Sequence, residues 1–348
     1  MRPSNNITRV VADSWYSERL AGLYSLDSWL KERPQFVQRA VDRYPSLRGV
    51  ALAFAGRNSM AIVTTNGHVG TKLCILVCGL LGWRKLILLE YIPNPPRPGM
   101  KLLVLRRINF IVLRRWLLRR CLIVSQMMTE SEFTAAPTDH GIPAERFRLV
   151  QYPLRFDNAP FENRHSLDER ESLRVLASGR RVDWQTVFAA AEGTDWDLRV
   201  VCLSTDLPEV RRLAASRPAT IRFDLDAGSH QDEVINACVF IIAVPETGGS
   251  IGQMRVMNAF DAGTAIVVSD VAGLRGYVDD TTAVLVPPGD PIALRAAVDD
   301  LLHNPEKRAK LTSAARKSTY SMTEYEERIS RLISQAVGVD DIRHDCLN

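Results

Sequence analysis

The chain lacks the features of a disulfide-linked, zinc-binding or membrane-spanning protein. Its six cysteines form no CxxC pair and mostly lie in apolar runs, so we expect a reduced, cytoplasmic chain without structural zinc. The N-terminus has neither the basic start nor the apolar stretch of a secretory signal, which predicts no export. The most apolar stretch, at 73–83, is too short to span a bilayer.

Familiar nucleotide-binding and metal-binding motifs are missing as well. The glycine-rich turn near residue 250 does not follow the GxGxxG pattern, and no Walker lysine accompanies it. No DxD-like acidic pair lies beside the turn, so we expect neither a metal ion nor a cofactor. An anionic ligand at this turn would therefore depend on arginines and backbone N–H groups.

The chain does have a pronounced charge asymmetry. Its net charge is only +4, yet residues 1–150 hold 22 of the 44 Lys and Arg and only 10 of the 40 Asp and Glu. A basic N-terminal half favours an anionic partner, such as a membrane surface, a phosphate-bearing acceptor or nucleic acid.

Many of these basic residues lie in the segment 101–120. At helical spacing, apolar residues that include Trp116 and Leu117 cover about half of its circumference, and arginines share the other half with residues such as Leu118. Two interpretations stay open: a core helix with a basic solvated face, or a helix that rests on anionic lipid. Nucleic acid is not expected, because no aromatic stacking platform accompanies the arginines.

Short β-rich runs alternate with helix-like segments through most of the chain. The alternation is clear over 171–287 and plainer over 1–150, and it predicts βαβ units in two Rossmann-like, doubly wound domains. A polar, proline-bearing stretch joins them, so we expect an N-terminal domain over 1–155 and a C-terminal domain over 156–348. The terminal helix of the second domain can cross back to the first.

The most informative stretch runs from 244 to 302. A strand ends near Val244, a glycine-rich turn follows, and a helix is expected to start about Ser250. The glycines of the turn are Gly248, Gly249 and Gly252. Small residues let a ligand approach the backbone, and helix N–H groups favour a phosphate. Ser250 can cap the helix and Arg255 can pair with a diphosphate, although an ordinary tight connection explains the spacing too.

The order of features in this stretch resembles the donor-binding end of GT-B glycosyltransferases, especially the retaining group known as family 4. The glycine-rich turn, the small-residue turn DAGTAIVVSD and the segment LVPPGDP occur in the order of that family. The segment 177–186, ASGRRVDWQT, resembles a second family element, in which a strand, a Gly-Arg pair and a helix face the diphosphate. The resemblance implies a GT-B fold, in which two Rossmann-like domains face each other across a cleft.

The resemblance also implies a set of donor-binding residues. Arg180, with Arg181, would neutralise the diphosphate of a nucleotide sugar. The remaining expected donor-site residues are Glu246, Gly249, Ser250, Gly252, Gln253, Arg255 and Asn258.

The chain departs from the family pattern in the helix that follows the turn. The family usually has two glutamates eight positions apart there, and those positions hold Ser250 and Asn258. Asn258 can still form hydrogen bonds with ribose hydroxyls but supplies no charge. Glu246 is the nearest carboxylate that could substitute.

In the N-terminal half, two residues are candidates for the catalytic site. His68 follows a strand in TTNGHVGTK, where the family often has a histidine beside the transferred sugar. Glu90 ends the next apolar strand, where an exposed carboxylate could face the cleft and act as a base. A structural histidine and a solvated strand end are the respective alternatives.

The resemblance implies a metal-independent enzyme that transfers a sugar from a nucleotide-diphosphate donor to an acceptor. A lipid-linked acceptor or a cell-surface polysaccharide precursor, reached at the inner face of the membrane, would fit the basic N-terminal half. Catalysis would then depend on stabilising the leaving diphosphate. Two alternatives stay open: a non-catalytic, glycosyltransferase-like partner subunit, and a sugar-nucleotide epimerase on the same scaffold.

Overall fold

The computed structural model describes residues 9–65, 70–90, 115–154, 173–246, 249–317 and 320–340. The chain divides into two compact units. The first unit comprises Met1–Met128, Glu132–Gln151 and Tyr325–Asn348, and the second comprises Thr129–Ser131 and Tyr152–Glu324. The predicted boundary between 155 and 156 lies outside the described residues, as does most of the predicted linker.

The first unit contains a six-stranded parallel sheet with the strand order β2-β1-β3-β4-β5-β6. The strands are β1 Val10–Ala12, β2 Leu23–Ser25, β3 Ala61–Thr65, β4 Leu86–Leu89, β5 Leu122–Met127 and β6 Phe147–Leu149. The α-helices in or bordering this unit are Ser14–Arg19, Leu26–Lys31, Gln35–Arg43, Arg48–Ala55, Thr71–Leu81, Arg115–Cys121, Glu130–His140 and Met322–Val337. Short 3-10 turns lie at Pro45–Leu47 and Ala144–Arg146.

The central strands of this unit are mostly apolar, and paired residues of neighbouring strands share one core. Ile62 pairs with Val11 on one side and with Leu86 on the other, and Leu86 pairs with Leu122. All four side chains are buried in one core cluster. Parallel strands that helices cover on both faces have no side exposed to solvent. Their sequences are therefore continuous hydrophobic runs rather than alternating hydrophobic and polar residues.

The second unit contains a six-stranded parallel sheet with the order β12-β11-β10-β7-β8-β9. The strands are β7 Arg174–Ser178, β8 Asp197–Cys202, β9 Thr220–Phe223, β10 Val239–Ile242, β11 Ala265–Ser269 and β12 Val284–Val286. The helices are Trp184–Ala191, Leu207–Ala214, Ala227–Asn236, Gln253–Ala262, Pro291–His303 and Pro305–Arg316.

Successive residues of the strands in the second unit enter two different core clusters. Val239 and Ile241 pack with the helices Trp184–Ala191 and Pro291–His303, whereas Phe240 packs with Gln253–Ala262. Side chains alternate across a strand, so helices cover both faces of the sheet. The doubly wound fold predicted for both halves is confirmed.

Each sheet has a point where the strand order reverses. In the second unit β7 lies between β8 and β10, so the chain moves outward in one direction and then returns to the other side of β7. In the first unit the reversal lies between β1 and β3. Ligands of open α/β sheets bind at such a point, outside the carboxyl ends of the strands.

The basic segment differs in part from the sequence prediction. Residues 101–114 lie outside the described residues, and Arg115–Cys121 is helical. Leu118 is buried rather than on the basic face, and Trp116 is 48% exposed rather than on the core face. The reason is the packing partner: Leu117 lies against Gly79 of the helix Thr71–Leu81, and this contact decides which side of the helix is covered.

Two further observations concern membrane spans and cysteines. Within the described ranges, no helix has the length and apolar character needed to cross a bilayer. The cysteines at 74, 78, 121, 202 and 238 are buried and free, and Cys346 lies outside the described residues.

Candidate functional site

The Gly-Arg pair follows β7 at the reversal point of the second sheet. Gly179 and Arg181 both have positive φ angles, 116° and 55°, which give the turn its shape. The turn ends at Asp183, whose Oδ1 accepts a hydrogen bond from the N–H of Thr186 over 3.1 Å and so caps the helix Trp184–Ala191. Arg180 and Arg181 are exposed, and their expected role with a diphosphate stays a prediction.

Arg255 reaches this turn from the helix Gln253–Ala262. It is buried, its Nη1 donates to the carbonyl oxygen of Ser178 over 3.1 Å, and its Nη2 donates to that of Arg180 over 3.3 Å. Burial lowers its pKa to about 10, so the guanidinium stays charged at neutral pH. Direct pairing of Arg255 with a diphosphate stays a prediction, because the observed partners of these two nitrogens are backbone carbonyls.

His230 also contacts the turn, although the sequence did not mark it as a site residue. Its Nε2 lies 2.8 Å from the Oγ of Ser178. Burial lowers the pKa of His230, and the positive charge of Arg255 lowers this pKa further. The negative charge of Glu233 raises it. The residue lies in an ordinary helical segment, Ala227–Asn236, and nothing in that local sequence indicates that it meets the end of β7.

The glycine-rich turn after β10 differs from the prediction at the start of its helix. The helix begins at Gln253, and its N-cap is Gly252 with φ 90° and no side-chain cap, so Ser250 does not cap it. The left-handed conformation of Gly252 is the reason, because it cannot be part of a right-handed helix. Ser250 is half-buried, and Gly248 lies outside the described residues.

A second loop packs on this turn. The Nε2 of Gln253 donates to the carbonyl oxygen of Gly273 over 2.7 Å, and a Cβ at Gly273 would lie 2.1 Å from the carbonyl oxygen of Gly249. The backbones of the two loops therefore touch. Gln253 is buried, so it acts here as a bridge between the loops; its expected contact with the donor stays a prediction.

Two further expected donor residues lie close to this turn in the sequence. Glu246 is exposed, and its Oε2 accepts a hydrogen bond from the N–H of Ala272 over 3.4 Å. Asn258 is half-buried, and its backbone oxygen accepts from the Nε2 of Gln231 over 3.2 Å. Their roles with a ribose or a sugar stay predictions.

In the first unit, Glu90 is not the exposed carboxylate that was expected. It follows β4 with φ 48°, it is half-buried, and its Oε1 accepts hydrogen bonds from the hydroxyls of Tyr16 over 3.0 Å and Tyr325 over 3.4 Å. Its backbone N–H donates to the Oε1 of Gln126 over 3.0 Å. The difference arises because the helices that carry the two tyrosines cover the end of β4. A small pocket lies beside Glu90, between the tyrosines and Arg19.

Several charges and dipoles act on the Glu90 carboxyl. Burial is the largest effect and raises its pKa, and Asp13 adds to the rise. The hydrogen bonds from the two tyrosine hydroxyls and the positive charge of Arg19 lower the pKa of Glu90. A carboxyl with a raised pKa beside a pocket is a candidate proton acceptor, although an inert buried network perturbs a pKa too.

A second polar group in the first unit lies where β1 and β3 end. Asp13 is fully buried; its Oδ2 accepts a hydrogen bond from Thr64 Oγ1 over 3.0 Å, and Thr64 Oγ1 lies 3.1 Å from Thr71 Oγ1. Thr71 also donates to the carbonyl of Thr65. These bonds fix the backbone on both sides of residues 66–69. The candidate His68 belongs to those four residues, which lie outside the described part of the chain.

In the parts of the chain that the structure describes, no group of three or more His, Cys, Asp or Glu side chains could hold a metal ion. Metal independence of any activity stays a prediction.

The second unit matches a known family over part of its length. Residues 249–318 match the model of the family described as Glycosyl transferases group 1. The matched segment starts in the glycine-rich turn and includes the helix Gln253–Ala262 and the loop of Gly273. No curated protein sequence matches the chain.

Solved structures extend the likeness to both units. Anabaena Alr3699/HepE, solved in complex with UDP, has a TM-score of 0.61 and 13% sequence identity, covering 94% of this chain and 100% of that chain. A glycosyltransferase from Rickettsia africae ESF-5 has a TM-score of 0.65 and 11% identity, covering 95% and 99%. Sucrose-phosphate synthase from Thermosynechococcus elongatus has a TM-score of 0.61 and 16% identity, covering 85% and 80%. The chain has the GT-B fold, as the sequence resemblance implied.

Proposed function

We propose that this protein is a glycosyltransferase, which binds a nucleoside-diphosphate sugar in its second unit and transfers the sugar to an acceptor. One observation carries the proposal: the Gly-Arg turn and the family-matched glycine turn follow the neighbouring strands β7 and β10 of one sheet. Because both turns lie at the point where the strand order reverses, a ligand held there would meet both.

The chemistry of these turns fits a diphosphate. Arg180 and Arg181 supply two exposed positive charges, and the start of the helix Gln253–Ala262 adds backbone N–H groups and the positive end of a dipole. HepE, which shares the fold, has been solved with UDP and with UDP-glucose. We therefore propose a nucleotide sugar as the donor, and UDP is the first nucleotide to test.

We propose that the leaving diphosphate is stabilised by these arginines and helix N–H groups without a metal ion. Charge that develops on the leaving oxygen would be met by preorganised positive groups, which is usually the largest contribution to such a reaction. His68 is proposed to lie beside the transferred sugar, on the basis of the family resemblance. Glu90 is the proposed base, and its raised pKa brings it nearer to that of an efficient proton acceptor.

We propose a lipid-linked or polysaccharide-precursor acceptor, reached from the inner face of the membrane. The support is a surface of the first unit in which Leu80, Leu81 and Trp116 are each about half exposed, with exposed fractions of 55%, 52% and 48%. The helices that carry them pack together. Arg119 and Arg120 lie on the same helix as Trp116, and the guanidinium of Arg120 is 4.8 Å from its ring centroid. Aromatic and basic side chains together suit an anionic lipid surface.

Calorimetry with UDP, GDP, dTDP and ADP tests the donor site directly. Saturable binding of one nucleotide that is lost in Arg180→Ala supports the proposal. Arg212→Ala is a matched control, because Arg212 is an exposed arginine of the same unit on the helix Leu207–Ala214, and it should bind normally. Unchanged binding in Arg180→Ala would refute the site.

Product analysis separates the alternatives. Nucleotide binding without transfer to any acceptor would favour a non-catalytic partner subunit, which the absence of both family glutamates, at Ser250 and Asn258, keeps open. Epimerisation of the free donor would indicate an epimerase on this scaffold.

A further inference from the structure

Arg255 is a buried cation that donates hydrogen bonds to backbone carbonyl oxygens. Its side chain is among the buried charged groups of the chain, at 7% exposure. Among the described residues no ion pair includes it, and burial is the cause of its lowered pKa. Burying an ionised group without a counter-ion is costly. A guanidinium at such a position therefore needs a structural or functional reason.

The two carbonyls that Arg255 binds lie on either side of Gly179. The Nη1 bond goes to Ser178 and the Nη2 bond goes to Arg180. A Cβ at Gly179 would lie 2.8 Å from the Cδ of Arg255 and 3.0 Å from its Nε, so the arginine side chain also packs flat against the glycine. One side chain thus holds three consecutive residues, which we name the 178–180 turn.

This turn needs external support, because its backbone is not in a relaxed conformation. Gly179 has φ 116°, and the next residue but one, Arg181, has φ 55° although it carries a side chain. Non-glycine residues adopt positive φ at a cost and keep it only where neighbouring contacts fix it. Arg255 supplies two such contacts, and His230 supplies a third at the Oγ of Ser178, 2.8 Å from its Nε2.

The direction of the carbonyls determines what the turn presents on its other side. In a trans peptide the C=O and the following N–H point in opposite directions. Since the carbonyl of Arg180 points towards the buried guanidinium, the N–H of Arg181 points away from it. The exposed side chains of Arg180 and Arg181 leave the same stretch of backbone.

We propose that Arg255 and His230 are positioning residues, which hold the 178–180 turn in the conformation in which Arg180 and Arg181 bind the donor diphosphate. In this proposal Arg255 acts through the turn, and this role replaces the direct pairing of Arg255 with the diphosphate that the sequence suggested. This inference rests on the proposed function, since it assigns roles within the same donor site.

Hydrogen–deuterium exchange of the nucleotide-free protein tests the positioning itself. Arg255→Met keeps most of the apolar packing and removes the donors, so the amides of residues 177–186 should exchange at least about tenfold faster, as expected when charge-assisted hydrogen bonds are lost. Arg217→Met is the matched control. Arg217 also donates to backbone carbonyls, those of Ala191, Trp196 and Pro218, but its removal should leave 177–186 unchanged.

Unchanged exchange of 177–186 in Arg255→Met would overturn the proposal. If that variant fails to fold, Arg255→Lys takes its place, because an ammonium keeps the charge but does not reproduce the fork that bridges two carbonyls. His230→Ala should speed up exchange in the same segment, to a smaller extent.

A double-mutant cycle of nucleotide affinity then separates positioning from direct contact. Arg180→Lys keeps a charge, so that binding stays measurable. Arg255→Met should weaken UDP binding by about tenfold in the native background and by much less beside Arg180→Lys, since residues that act through one another are not additive. If the losses of UDP affinity caused by the two substitutions are fully additive, Arg255 binds the phosphate independently of Arg180. That result would overturn the proposal.

Failure of the proposed function gives a different result. If the native protein binds none of the four nucleotides, the donor site is refuted, and with it the role of the turn in binding. The exchange result in the nucleotide-free protein would still show whether Arg255 holds the turn.

Discussion

The hydroxyl of Tyr16 donates a hydrogen bond to the Oε1 of Glu90 over 3.0 Å, although 74 positions separate the two residues in the chain. Tyr325, from the C-terminal end of the chain, donates to the same oxygen over 3.4 Å. The proposed base is therefore held by two phenol groups from different helices, and its proton affinity depends on both.

Removal of one tyrosine hydroxyl should shift the pH dependence of activity. Tyr16→Phe takes away a hydrogen bond that lowers the pKa of Glu90, so this pKa should rise. The acidic limb of the pH–rate profile should then move to higher pH, with a loss of about 1 kcal/mol in the free energy of unfolding. The measurement is kcat/KM against pH for the native and variant enzymes.

Tyr24→Phe is a suitable control, because Tyr24 also bonds a glutamate, Glu32, but on an exposed surface. Its acidic limb should coincide with that of the native enzyme. A coincident limb in Tyr16→Phe as well would exclude Glu90 as the base.

Glu90 should also make the stability of the protein depend on pH. Its folded pKa lies above its ordinary value of 4.5, so between these two values the folded state binds more protons than the unfolded state. The contribution of Glu90 is then fully present below pH 4.5 and is lost as pH rises through the folded pKa. In Glu90→Gln this decline should vanish. Urea unfolding at several pH values measures it, and identical pH profiles would contradict the raised pKa.

His230 predicts a pH dependence of the opposite sign. Its folded pKa lies below its ordinary value of 6.5, so the folded state favours the neutral ring. Its contribution to stability is present above pH 6.5 and is lost as pH falls below that value towards the folded pKa. His230→Gln, which cannot titrate, should remove this part of the profile. His303→Gln, at an exposed helix end, serves as the control.

Gly252→Ala should impair both folding and donor binding. Its φ of 90° disfavours a side chain, and a Cβ would lie 3.3 Å from Leu274, so we expect a loss of about 1–2 kcal/mol in the free energy of unfolding. Gly289→Ala is the matched control, with φ 75° and no atom of the described residues within 4 Å of the added Cβ. Both variants should lower the melting temperature, and only Gly252→Ala should weaken UDP binding in calorimetry. Equal UDP affinities would argue against a donor at this turn.

The proposed lipid surface predicts a specific loss of vesicle binding. Trp116→Ala should reduce co-sedimentation with phosphatidylserine-containing vesicles several-fold, because an exposed tryptophan contributes strongly at a membrane interface. Phe223→Ala is matched in exposure, at 48% for both residues, and lies on β9 of the other unit. It should bind like the native protein. Equal binding by all three proteins, or binding to neutral vesicles alone, would contradict an anionic lipid surface.

The sequence by itself determined the fold class and the location of the two turns that are proposed to bind the donor. Continuous apolar runs alternate with helix-like segments, and this local periodicity is a direct consequence of strands that helices cover on both faces. The turn before the helix Gln253–Ala262 can likewise be located from the sequence. Its residue Gly252 has a φ of 90°, which only glycine adopts without strain.

The tertiary structure decided which side chains meet. The partners of Arg255 are the carbonyls of Ser178 and Arg180, 77 and 75 positions away, and no local pattern encodes them. Glu90 likewise ends an apolar strand in the sequence, but whether it faces water depends on Tyr325, 235 positions further along. Hydrophobic spacing predicts which side of a helix or strand is buried. It does not predict which other element covers that side. The hydrogen bonds and the pKa of a residue therefore follow only from the packing of the whole unit.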